Sequence, residues 1–145
     1  GKTYTFTPLF GKYRDPAVLA TPSESGVNVP LIRFAEVLLI NAEALNELGG
    51  PNTDAYNSIN RVRVRAGLDS LQNLTQDQFR DSVYLERRLE LMNEYQRWFD
   101  LVRTRRMIDE LHAQGKPNAS EKFYLYPIPQ REMDLNPVLT QNPLW

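Results

Sequence analysis

Three glutamates stand one helical turn apart at Glu86, Glu90 and Glu94, and paired carboxylates are the groups in this chain best suited to acid–base chemistry. In glycoside hydrolysis two carboxylates about 5–10 Å apart flank the scissile bond. That work requires one carboxyl kept protonated by an uncharged, apolar setting. Here Arg87 and Arg97 lie three residues from Glu90 and Glu94, which favours ionised, occupied carboxylates instead. The like charges repel at this spacing, and the local arginines answer only part of it, so cations from other segments are expected to supply the rest. No catalytic residue is assigned.

The other candidates for chemistry are weaker. Glu36 with Glu43, or Glu90 with Glu94, lack the Glu-x-x-His pairing of di-iron bundles. His112 is the lone histidine and cysteine is absent, which argues against zinc and removes disulfide and thiolate chemistry. Glycine-rich phosphate loops and serine-nucleophile motifs are missing, so no metal or cofactor is assigned. The run RVRVR (Arg61, Arg63, Arg65) invites a nucleic-acid reading, but a net charge of −1 and acidic neighbouring helices oppose it. Arg61 and Arg65, four residues apart, are expected to meet the Glu86/Glu90/Glu94 face. Tyr4, Phe6, Phe10 and Tyr13 would suit a sugar or base platform, or would pin an extended lead-in or a strand at Tyr4–Phe6 onto the helices. Packing is the commoner role of such aromatics. Nothing ranks these aromatics, or Trp145, as ligand contacts.

These side chains need helices to hold them. In Tyr84–Met107, Tyr84, Leu85, Leu89, Leu91, Met92, Tyr95, Trp98, Phe99 and Val102 share one arc of a helical wheel. Glu86, Arg87, Glu90, Glu94 and Arg97 share the opposite arc. Leu101 falls among the charges, which predicts a break around Asn93–Arg97 and a second helix through Arg103. Upstream, Thr75-Gln76-Asp77-Gln78 is a capping box with Leu74 and Phe79 as its hydrophobic staple. Asn52 or Thr53 caps another helix that Gly67 stops, and Gly49-Gly50-Pro51 ends one opened by Pro30. That first helix is apolar nearly all round, which predicts burial between neighbours.

The expected organisation is therefore all-α, in antiparallel succession, within a chain of 145 residues that suits a single domain. An irregular lead-in covers 1–29, and a helical core covers 30–112, with helices at about 30–48, 54–66, 76–93 and 97–112. An extended, proline-rich tail covers 113–145, where each proline biases its predecessor away from helix. A lattice of Arg33, Glu36, Glu43, Arg61, Arg65, Glu86, Arg87, Glu90, Glu94, Arg97, Asp100 and Arg103 is expected to fix how four helices dock. The sequence shows no apolar run long enough to span a bilayer.

Five blocks, in order, resemble the C-terminal region of the SusD/RagB family. They are VPLIRFAEVLLINAEALNELG (Val29–Gly49), INRVRVRAGL (Ile59–Leu68), LERRLELMNEYQRWFDLVRT (Leu85–Thr104), YLYPIPQREMDLNP (Tyr124–Pro137) and QNPLW (Gln141–Trp145). KYRDP (Lys12–Pro16) resembles the segment that precedes them. The resemblance implies tetratricopeptide-like helix pairs in a non-enzymatic, lipid-anchored protein of the Bacteroidetes cell surface. Such proteins bind glycans, in some members peptides, and form the lid of a SusC-like TonB-dependent outer-membrane transporter. It implies no nucleic-acid partner, and contact with the membrane only through a lipid anchor outside this chain. Family members are longer and begin with a lipoprotein signal and a lipidated cysteine, so the chain is expected to be the last third or so of one. A stand-alone helical-repeat interaction module is the alternative expectation.

Overall fold

The computed structural model describes residues 11–15 and 25–145. Tyr4, Phe6 and Phe10, with the strand expected at Tyr4–Phe6, lie outside the described residues, as do Pro8, Pro16 and Pro22. Among the described residues the secondary structure is entirely helical, and the chain divides into two compact units, 1–96 and 97–145.

The first unit holds α1 (Phe34–Gly49), α2 (Thr53–Arg65) and α3 (Gln76–Glu90). Helix α1 begins four residues later than Pro30 suggests. Leu31 and Ile32 are 90% and 71% exposed, so no packing offsets the cost of an added first turn. Arg33 instead takes the N-cap position in extended conformation. Gly50, at φ 85°, closes α1 by returning its N–H to the Asn46 carbonyl. Asn52 caps α2, its side chain accepting from the Ala55 N–H at 2.9 Å. Both halves of the capping box form at α3: Gln78 N–H donates to Thr75 Oγ1 and Thr75 N–H to Gln78 Oε1.

The three helices share one apolar seam, with Leu39 and Ala42 from α1, Ala55, Ile59 and Val62 from α2, and Phe79 and Val83 from α3. The Tyr56 ring meets Phe79 edge-on at 5.0 Å, and its hydroxyl accepts from the Leu74 N–H at 2.7 Å. Asn60 pins Leu71 through both its amide N–H and its carbonyl. The connector between α2 and α3 is thereby tied to α2. Among the described residues, α2 and α3 both pack on α1 through this seam, on one side of the helix. Val37, Ile40 and Leu48 on its remaining surface are exposed, contrary to the expected all-round burial.

Helix α3 ends at Glu90, three residues short of the expected 93. Asn93 and Tyr95, both at φ 65°, then turn the chain where the wheel predicts a break. The burial of α3 reverses the simplest reading of that wheel. Its buried residues are Phe79, Val83, Glu86 and Arg87, while Leu85 and Leu89 of the apolar arc are exposed.

The second unit holds α4 (Arg97–Arg103), α5 (Met107–Ala113), a 3-10 turn (Glu121–Tyr124) and α6 (Gln130–Leu135). The single helix expected over 97–112 is split. The Arg106 N–H returns to the Leu101 carbonyl and the Arg105 N–H to that of Val102, with Arg105 at φ 57°. This pairing is a Schellman closure, which ends a helix with one left-handed residue. The tail is less extended than expected, because Phe123 and Tyr124 belong to the 3-10 turn. Its last residues clamp it: Gln141 Oε1 accepts from the Ile128 N–H at 2.7 Å and Gln141 Nε2 donates to the Ile128 carbonyl at 2.9 Å. The Asn142 amide donates to the Tyr126 carbonyl, and the Trp145 indole to those of Lys122 and Leu125.

Candidate functional site

The carboxylate stripe sits where α3 meets α1 and α2. Glu86 and Arg87 are neighbours in sequence, 2% and 4% exposed, and bind opposite helices. Glu86 accepts from Arg63 of α2 at 2.9 Å, and the Arg87 guanidinium lies 3.9 Å from Glu36 of α1. One turn on, Glu90 accepts from Arg33 at 2.9 Å through Oε1 and from Arg65 at 2.6 Å through Oε2. Glu94 accepts from Arg33 Nε at 2.8 Å and from Lys12 Nζ at 2.6 Å. Arg33 therefore bridges two carboxylates, and its third bond, 2.9 Å from Nη2, ends on the Glu90 carbonyl. Lys12 also donates to the carbonyls of Glu90 and Met92. Cations placed on the last carbonyls of α3 complement its dipole.

The electrostatics follow from this wiring. Burial by itself would raise the Glu94 carboxyl, but hydrogen bonds from Arg33 and Lys12 outweigh it and hold the group below its ordinary value. The same bond to Glu94 leads the causes that hold Arg33 protonated even more firmly than usual. Burial and the adjacent Glu94 charge push the Tyr13 phenol up. An ionised, multiply bonded Glu94 is the reverse of a carboxyl poised to donate a proton. Among the described residues no cluster of three His, Asp or Glu is placed to hold a metal ion.

The structure departs from the expected lattice at Arg61. Arg61 meets no stripe glutamate; its guanidinium lies 5.1 Å over the Phe34 ring. Arg63 pairs with Glu86 instead. Arg97, Asp100 and Arg103 belong to the second unit. Arg97 pairs with Glu110 at 2.9 Å, and Arg103 with Asp100 at 2.8 Å. Glu43 lies half-buried on α1. Sequence reasoning passed over Lys12 and Glu110, and left Arg63 out of the lattice although it stands in the RVRVR run. Lys12 carried a signal as the first residue of KYRDP.

Comparison with known proteins places this architecture. Residues 1–145 match the sequence profile of the SusD family. SusD-like protein P2 of Formosa agariphila is 36% identical over 149 residues, which cover 93% of this chain and 30% of that protein. SusD-like protein P38 of the same organism is 36% identical over 132 residues, covering 84% of this chain and 25% of its own length. A solved SusD homolog from Bacteroides thetaiotaomicron superposes with a TM-score of 0.69 at 32% identity, over 88% of this chain and 30% of that one. A SusD superfamily protein from Parabacteroides distasonis gives 0.75 at 32% identity, over 90% and 30%. The chain thus spans less than a third of the length of the curated relatives it matches.

Proposed function

The chain belongs to the SusD family, and on that footing we propose that it is the C-terminal portion of a glycan-binding lipoprotein of the outer-membrane surface. In this reading the whole protein delivers oligosaccharides, or in a variant of the role peptides, to a SusC-like TonB-dependent transporter. The observation that carries it is the family match along the entire chain, supported by helical neighbours of the same family at 32% identity. The reading is non-catalytic. Every glutamate of the stripe that invited an enzymatic interpretation is bonded to at least one arginine. No helix among the described residues is long and apolar enough to cross a membrane, and the proposed attachment is a lipid anchor elsewhere in the protein.

A stand-alone interaction module is the weaker reading. Gln141, Asn142 and Trp145 bind the backbone of Lys122–Ile128, and a plain helical repeat has no need of that clamped tail. The test is to extract the natural protein from outer membranes through an affinity tag, then titrate it with neutral oligosaccharides. Co-purification of a TonB-dependent transporter with saturable glycan binding supports the proposal. A protein that comes alone and binds no glycan overturns it, and glycan turnover overturns its non-catalytic part.

A further inference from the structure

The second unit contains a cleft of about 460 Å³ bounded by α4, the 3-10 turn and the C-terminal tail. Arg103, Arg105 and Lys122 line it, against a single lining carboxylate, Glu121. Tyr124, Leu125, Pro143 and Leu144 supply its apolar walls. The smaller cleft of about 320 Å³ between α1 and α2 also has three arginines, but Arg33 and Arg65 there are bonded to Glu90 and Glu94.

Arg105 is the unusual residue. It occupies the left-handed position of the Schellman closure after α4, at φ 57°. The same closure recurs after α2 and α5, where Gly67 and Gly115 fill that position at φ 77° and 73°. Glycine adopts this conformation without steric cost, and a long branched cation does not. Leu144, which also lines the cleft, is left-handed at φ 71°. Strain held in non-glycine residues gathers at ligand clamps. Arg105 is also loosely held: its Glu121 contact is 3.5 Å long and both side chains are about two-thirds exposed. Its guanidinium lies 4.5 Å over the Tyr124 ring, and a guanidinium presents a planar fork of N–H donors suited to a carboxylate. The Trp145 indole, anchored on the Lys122 and Leu125 carbonyls, fixes the tail wall in place.

We propose that this cleft binds a single anionic group carried on a ring with an apolar face, a uronic acid being the fitting class. Arg105 and Lys122 receive the carboxylate, and Leu125, Pro143 and Leu144 receive the ring. The site stands on its own geometry and does not depend on the transporter role proposed above.

The test is NMR titration of the whole chain with D-glucuronate, D-glucose and inorganic sulfate, reading the amides of Arg105, Lys122 and Leu144. Glucuronate is expected to shift them saturably and glucose is not. Arg105→Asn, which tolerates the left-handed backbone, should weaken glucuronate about tenfold or more. Arg80→Gln, in the first unit, should not. No saturable shift, equal binding by glucose, or affinity retained in Arg105→Asn would overturn the proposal. Sulfate matching glucuronate would overturn the ring's part in it.

Discussion

Arg33, one residue before α1, reaches across 61 positions of sequence to bond Glu94 beyond the end of α3, Nε to Oε2 at 2.8 Å. The same guanidinium holds the Glu90 carboxylate and the Glu90 carbonyl. One side chain thus binds the start of one helix to the C-terminal end of another. Bonds of this charge-assisted kind set geometry as well as energy.

Removing one carboxylate from this cluster should be costly. Glu90→Gln is expected to lower unfolding stability by about 2–3 kcal/mol, less than for a fully buried pair, because Arg65 is exposed enough to rehydrate. Urea denaturation of the variant beside the parent chain measures it. A change within error would mean that Glu90 carries no structural load. Arg80→Ala, which removes surface pairs to Glu47 and Asp77, should shift the midpoint little by comparison.

The sign of the pH dependence follows from Glu94. Its folded-state pKa is depressed below 4.5, so its contribution is fully present above that value and is lost as pH falls through the lower, folded one. Midpoints of urea unfolding measured from pH 7 to pH 3 should fall more steeply in the parent than in Glu94→Gln. Parallel curves would show that Glu94 is not linked to folding.

How much of this was readable in the sequence depends on range. The capping box at Thr75–Gln78, the Asn52 cap and the break at Asn93–Tyr95 are local chemistry, and the structure places each where the residues indicate. The direction of the α3 wheel was not legible. Hydrophobic periodicity separates two arcs, but the inward arc is charged because Arg63, Arg65, Arg33 and Lys12 converge on it from three other segments. The same limit applies to Arg61: spacing alone cannot tell which arginines of RVRVR reach the glutamates. The start of α1 was misplaced because Pro30 is compatible with a first turn, whereas Leu31 and Ile32 find nothing to pack on.

Gln141 should be the hinge of the tail. Gln141→Ala removes two bonds to Ile128 and one to the Asn142 N–H, all between 2.7 and 2.9 Å. Hydrogen exchange at the Ile128 amide is expected to accelerate by about tenfold or more, in keeping with the loss of its acceptor. Unchanged protection would assign the clamp to Asn142 and Trp145 instead.

The apolar residues outside the seam should make the isolated chain associate with itself. Leu31, Phe34, Val37, Ile40 and Leu48 range from 48% to 90% exposed on α1 and its approach. Surfaces of this kind mark interaction sites or aggregation liabilities. Light scattering at rising concentration is expected to show oligomers that Val37→Glu with Ile40→Glu reduces. A monomer at every concentration would contradict this.

The charged face of α3 is a structural joint. A double-mutant cycle on Arg33→Met and Glu94→Gln, read by urea unfolding at pH 7, tests it most directly. A joint predicts a favourable coupling of about 1–2 kcal/mol between the two side chains. Additive effects, with coupling indistinguishable from zero, would contradict it.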